Sequence, residues 1–94
     1  MALKLDIVKN RENTKAYFRN PQRIDEALIF AEANRILLES DTTHIEDIPG
    51  PSEDISVWDI GGTRARIKLD FDYGAEISAD STKALDKIIA ILLN

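Results

Sequence analysis

Residues 57–79 read Val57-Trp58-Asp59-Ile60-Gly61-Gly62-Thr63-Arg64-Ala65-Arg66-Ile67-Lys68-Leu69-Asp70-Phe71-Asp72-Tyr73-Gly74-Ala75-Glu76-Ile77-Ser78-Ala79. Gly61-Gly62 predicts a two-residue hairpin turn, because both central positions tolerate the positive φ that such turns demand. The turn fixes a register: Ile60 faces Thr63, Asp59 faces Arg64, Trp58 faces Ala65 and Val57 faces Arg66. Side chains alternate along a strand, so Trp58, Ile60, Ala65, Ile67, Leu69 and Phe71 share one face. Asp59, Arg64, Arg66, Lys68 and Asp70 share the other.

Asp72-Tyr73-Gly74 fits a three-residue hairpin loop with glycine in the left-handed last position. That loop sets Phe71 against Ala75, Leu69 against Ile77 and Ile67 against Ala79. A two-residue turn at Tyr73-Gly74 would bring Glu76 beside Phe71 in the core, so the longer loop is preferred. The same register sets Asp70 opposite Glu76, and like charges so placed destabilise unless a cation intervenes.

Working outward, Asp80 or Ser81 caps a closing helix to about Leu93, with Leu85, Ile88, Ile89 and Leu92 as its buried stripe. Upstream, Asn20-Pro21 predicts a helix start, since Asn caps free amides and Pro suits the first helical position. Ile24, Ala27, Leu28, Ala31, Ile36 and Leu38 form its stripe, widened by Phe30, Ala33 and Leu37, and it ends near Glu39. Residues 40–54, with Pro49-Gly50-Pro51, predict a long connection. Such a length in a small domain implies function or mobility. Leu3, Leu5 and Ile7 alternate with Lys4 and Asp6 as a strand does, and residues 9–19 remain open.

The expectation is one α+β domain over residues 1–94. Its order is helix, three-stranded antiparallel meander and helix, with an optional N-terminal strand and both helices on the Trp58 face.

Charge is unevenly spread. Residues 1–23 hold six basic and two acidic side chains, whereas residues 24–54 hold nine carboxylates against Arg35 alone. A charge layout of that kind steers charged partners. The chain has no cysteine, which excludes disulfide and thiolate chemistry and suits a reducing, cytoplasmic setting. Residues 1–9 lack the pattern of a signal peptide, and Ile88–Leu93 is far too short to cross a bilayer.

Few constellations carry chemistry. Asp70, Asp72 and Glu76 offer hard oxygen donors, but glycine falls at the wrong position for a calcium loop. His44 is the single histidine. It lies among Asp41, Glu46 and Asp47, with no catalytic signature around the neighbouring hydroxyls. Gly61-Gly62 lacks the spacing of the phosphate-binding glycine motifs. Arg64, Arg66 and Lys68 form a basic row on the exposed sheet face, with Asp59 and Asp80 placed to neutralise two of them. No aromatic residue is expected on that face for base stacking. Tyr17, Phe18 and Arg19 read as a packed aromatic anchor or as a stacking element.

Across residues 20–94 the order helix, three strands, helix resembles the double-stranded-RNA-binding domain. That resemblance implies RNA contact through a basic cluster opening the last helix. Here the stretch is Ser81-Thr82-Lys83-Ala84-Leu85-Asp86-Lys87, in which one lysine is missing and Asp86 intrudes. Leu3-Lys4-Leu5-Asp6 and Phe71-Asp72-Tyr73 faintly resemble stretches of ribonuclease-colicin immunity proteins.

The leading expectation is a non-enzymatic protein-binding module without metal or cofactor, of inhibitor, immunity, antitoxin or phage-antagonist type. Glu39, Asp41, Glu46, Asp47, Glu53 and Asp54 form its acidic contact loop, suited to a basic cleft. The alternative is an RNA- or DNA-binding module using Arg64, Arg66, Lys68 and Lys83. No membrane partner is expected, and Ile55 and Val57 raise the question of self-association.

Overall fold

The computed structural model describes residues 3–94; Met1 and Ala2, which open the stretch read for a signal peptide, lie outside the described residues. The elements in chain order are β1 (Ile7–Lys9), β2 (Lys15–Phe18), α1 (Glu26–Leu38), β3 (Thr43–Pro49), β4 (Glu53–Ile60), β5 (Thr63–Asp70), β6 (Gly74–Ala79) and α2 (Thr82–Leu93). Among the described residues the strands form one antiparallel sheet in the order β1-β2-β6-β5-β4-β3. The expected three-stranded meander is therefore overturned, and the α+β class remains. Residues 20–94 also depart from the double-stranded-RNA-binding topology, because four strands rather than three separate the helices.

The β4–β5 register is the one that Gly61-Gly62 dictates, from Ile60↔Thr63 through Val57↔Arg66. Both glycines take positive φ, 62° and 92°. The β5–β6 register differs from expectation. Leu69 pairs with Ala75, Ile67 with Ile77 and Ala65 with Ala79. Asp70 is the cause: its Oδ1 accepts from the amides of Asp72 at 2.9 Å and Tyr73 at 3.1 Å. An aspartate that closes a turn through its own side chain starts that turn one residue early. The shift moves partners by two residues, so the faces are preserved. Phe71 leaves the core and is 55% exposed.

The additional strands come from segments with little apolar pattern. Asn10 Oδ1 accepts from the amides of Thr14 and Lys15, closing the β1–β2 hairpin. Residues 43–49, inside the connection expected over residues 40–54, instead pair with β4 as its neighbour. A register shift between His44 and Glu46 breaks the alternation that would have revealed them.

Helix α1 begins five residues later than Asn20-Pro21 implies. Arg23 adopts a left-handed φ of 55°, which no helix continues through. Asn20 instead closes a turn, accepting from the Ile24 amide and donating to the Ile24 carbonyl. Asp25 is the cap, accepting from the Ala27 amide. The stripe is also rotated: Ile29, Ala33 and Leu37 are buried, whereas Leu28 and Leu38 are 58% and 69% exposed. Helix α2 starts at the Ser81 cap and buries Ala84, Leu85, Ile88 and Leu92. Residues from both helices join one core with Trp58, Ile60, Ala65, Ile67, Leu69, Ala75 and Ile77. Both helices thus pack on that face of the sheet.

Arg35 clasps α1 from outside, with Glu32 at 2.7 Å and Glu39 at 2.7 Å. Its hydrogen bond holds the Glu32 carboxyl below the usual glutamate range. A depressed carboxyl contributes stability that is complete above its unfolded pKa and is lost as pH falls through the folded one. Glu32→Gln is therefore expected to flatten the loss of stability below about pH 4.3. Urea midpoints measured from neutral to acidic pH check this.

Candidate functional site: an acidic edge beside an apolar groove

The sheet order sets the basic N-terminal hairpin and the acidic segment at opposite margins. Strands β1 and β2, with the basic residues Lys9 and Lys15, form one edge; β3 forms the other. Five strand spacings make this separation about 24 Å. Residues 39–54 hold six carboxylates and neither Lys nor Arg.

The six expected contact residues do not form one patch on a loop. Glu39 caps the end of α1 and is tied to Arg35. Asp41 is exposed between α1 and β3. Glu46 pairs with Val57 across β3–β4 and so lies on the open sheet face, as does Glu53, 3.7 Å from Lys68. Asp47 pairs with Ser56 and Asp54 with Leu69, so both lie on the helix side. The carboxylates therefore line both sides of one sheet margin.

On the helix side this margin borders a groove of about 550 Å³, lined by Phe30, Ala31, Asn34, Leu38, His44, Asp47, Pro49, Asp54 and Trp58 among others. Helix spacing explains half of the wall. Phe30, Ala31, Asn34, Arg35 and Leu38 recur at intervals of three and four, a second face beside the buried Ile29-Ala33-Leu37 stripe. Sequence reading merged these two faces into one wide stripe and so missed the groove. The surplus of apolar residues around α1 was the available signal.

The groove floor is pinned by a small polar network. Trp58 Nε1 donates to Asn34 Oδ1 at 3.2 Å and to Ser56 Oγ at 3.1 Å, and Ser56 Oγ donates to Asn34 Oδ1 at 2.6 Å. An indole nitrogen only donates, so the oxygen of Asn34 faces inward and its amide nitrogen is left for other acceptors. The His44 ring sits 4.8 Å from the Trp58 ring, and its Nε2 lies 2.9 Å from Asp47 Oδ1.

Edge strand β3 leaves one side of its backbone without a neighbour among the described residues. Its register shift, its terminal Pro49 and the charges Glu46 and Asp47 are the usual guards against unwanted pairing.

The open face tells against the alternative site. Arg66 pairs with Asp80 at 2.7 Å, and Lys68 with Glu76 at 2.9 Å. The hydrogen bond that Lys68 donates to Glu76 raises the lysine's pKa. The expected Asp70–Glu76 clash is thus replaced by a Lys68–Glu76 pair. Among the described residues, no three His, Cys, Asp or Glu side chains converge in a metal-holding group. Asp59 caps the Gly62 amide at 2.7 Å rather than holding Arg64. Lys83 is exposed on α2, across the sheet from the basic row.

One aromatic does share the open face: Tyr17, opposite Val8 and Glu76 and 42% exposed. The Lys15-Ala16-Tyr17-Phe18 alternation carried that signal, sending Phe18 inward. Val57 on this face is only 5% exposed and offers little surface for self-association.

No described helix is long and apolar enough to cross a membrane. Comparison with protein-family models, curated proteins and solved structures found no match for this chain.

Proposed function

We propose that this chain is a non-enzymatic binding protein that engages a basic surface of another protein through the β3 margin. The separation of charge across the sheet carries this reading. All six carboxylates of residues 39–54 belong to that margin or its flanks, and the basic N-terminal hairpin belongs to the opposite one. A field so oriented accelerates encounter with a basic surface and rejects wrong partners by repulsion. The inhibitor, immunity and antitoxin types share this need for fast, selective capture. A cytoplasmic setting, consistent with the absence of cysteine, belongs to the same proposal.

Nucleic-acid binding is the less favoured reading, since Arg66 and Lys68 are already occupied by carboxylates. Pull-down with mass spectrometry supplies the partner, and association is then followed by stopped flow at several salt concentrations. Among the described residues, Asp41, Glu46, Asp47 and Asp54 have no Lys or Arg partner and make the cleaner variant set. Replacing these four by Asn or Gln is expected to slow association by about tenfold or more and to flatten its salt dependence. Unchanged kinetics would overturn the proposal. Retention of the wild-type chain on heparin or RNA near physiological salt would point to the nucleic-acid reading instead.

A further inference from the structure

We infer that the partner contributes an extended basic segment, which adds to β3 as a further antiparallel or parallel strand and drops alternate side chains into the groove. The inference rests on the protein-binding reading above and names the form its ligand takes. Three independent features meet at one place. The outer backbone of β3 has no neighbour among the described residues, and every residue of the strand is exposed. A groove of about 550 Å³ opens on the helix side of the same strand, with Phe30, Leu38, Pro49 and Trp58 contributing apolar wall. Carboxylates stand on both sides of the strand, Asp47 toward the groove and Glu46 toward the open face.

An added strand alternates its side chains between the two faces. Its inward residues meet apolar wall and the amide nitrogen of Asn34, while its basic residues meet Asp47 and Asp54 on one side and Glu46 on the other. Main-chain hydrogen bonds supply affinity in this mode and the side-chain pockets supply selectivity.

Charge decides the occupant. A second copy pairing β3 against β3 would set two Glu46 and two Asp47 side chains along one seam, which like-charge repulsion disfavours. The nearby cation is already held, Arg35 by Glu32 and Glu39. A basic strand meets no such obstacle.

Random peptides displayed on phage and selected against the intact chain at low salt supply the probe. The expected winners carry Lys or Arg alternating with aliphatic or aromatic residues. Synthetic winners should slow amide exchange within residues 44–48. N-methylation of the alternate amides that face β3 should weaken them by about tenfold or more, the loss of one or two hydrogen bonds. Leu38→Lys should weaken them to a similar degree, and because Leu38 is 69% exposed the variant retains its fold. Indifference to N-methylation, protection at the β1–β2 edge or the open face, failure to select basic peptides, or self-association with β3 protected would each overturn the inference. If the natural partner depends on the four carboxylates yet leaves β3 amides unprotected, strand addition fails and the acidic-margin reading stands.

Discussion

Trp58→Ala is expected to destabilise the fold by about 3–5 kcal/mol, the range for truncating a buried aromatic. Trp58 is 2% exposed and touches both layers of the domain, lying in the sheet beneath α1. Removing the indole forfeits its transfer free energy and opens a cavity that neighbours on two rigid elements cannot fill. The loss is a large share of the roughly 5–15 kcal/mol that holds a domain of this size. Trp58→Phe separates the causes. Phe retains most of the packing but gives up the donor to Asn34 and Ser56, a change worth about 1 kcal/mol. Ser56 and Asn34 still satisfy each other at 2.6 Å, so no buried group is stranded. Urea unfolding followed by far-UV circular dichroism measures both variants, since Trp58 is the sole tryptophan and each change removes the fluorescent probe. A cost for Trp58→Ala below about 1 kcal/mol would mean that the groove wall is not packed as described. Where the alanine variant still folds, the groove loses its floor and peptide binding should fall with it.

The centre of the molecule was legible in the sequence because two physical signals agreed there. Gly61-Gly62 has one favoured turn geometry, and the resulting register sorted every apolar residue from Trp58 to Leu69 onto one face. At the second hairpin the signals were weaker. A glycine at position 74 fits two loops of equal parity, and the choice between them was made by the Asp70 side chain bonding the Asp72 and Tyr73 amides. Such capping depends on coordinates a pattern does not contain.

The margins were harder to read. An edge strand has one neighbour and, in β3, no buried residue, so its sequence carries polar side chains and no period of two. Residues 43–49 were legible as acidic but not as a strand. The same pairing that hid the strand separates Glu46 from Asp47, turning an expected loop patch into a margin with two faces. Helix α1 was misphased for the opposite reason. It is apolar over most of its circumference, and only the sheet decides that Ile29, Ala33 and Leu37 go inward. Leu38, placed in the stripe by spacing, became groove wall instead.

The second large effect is expected where the corrected register can be measured. Ile67 and Ile77 are fully buried and directly opposed across β5–β6. Truncating either to Ala should cost about 2–5 kcal/mol. Side chains so opposed have Cβ atoms about 4.5–5.5 Å apart, whereas Leu69 meets Ile77 only on the diagonal, at about 7–8 Å. The second truncation of the opposed pair therefore enlarges a cavity already made. The double variant should lose less than the sum by about 0.5–3 kcal/mol, with Leu69 and Ile77 closer to additive. Should the double alanine variant fail to fold, valine at both positions preserves the comparison at about 0.5–1.5 kcal/mol per site. Stronger coupling of Ile77 to Leu69 than to Ile67 would restore the loop at Asp72-Tyr73-Gly74. That shift would return Asp70 to face Glu76 and free Lys68 from its pair. A freed Lys68 would reopen the basic row on the open face, so this cycle bears on the choice between a protein and a nucleic-acid partner.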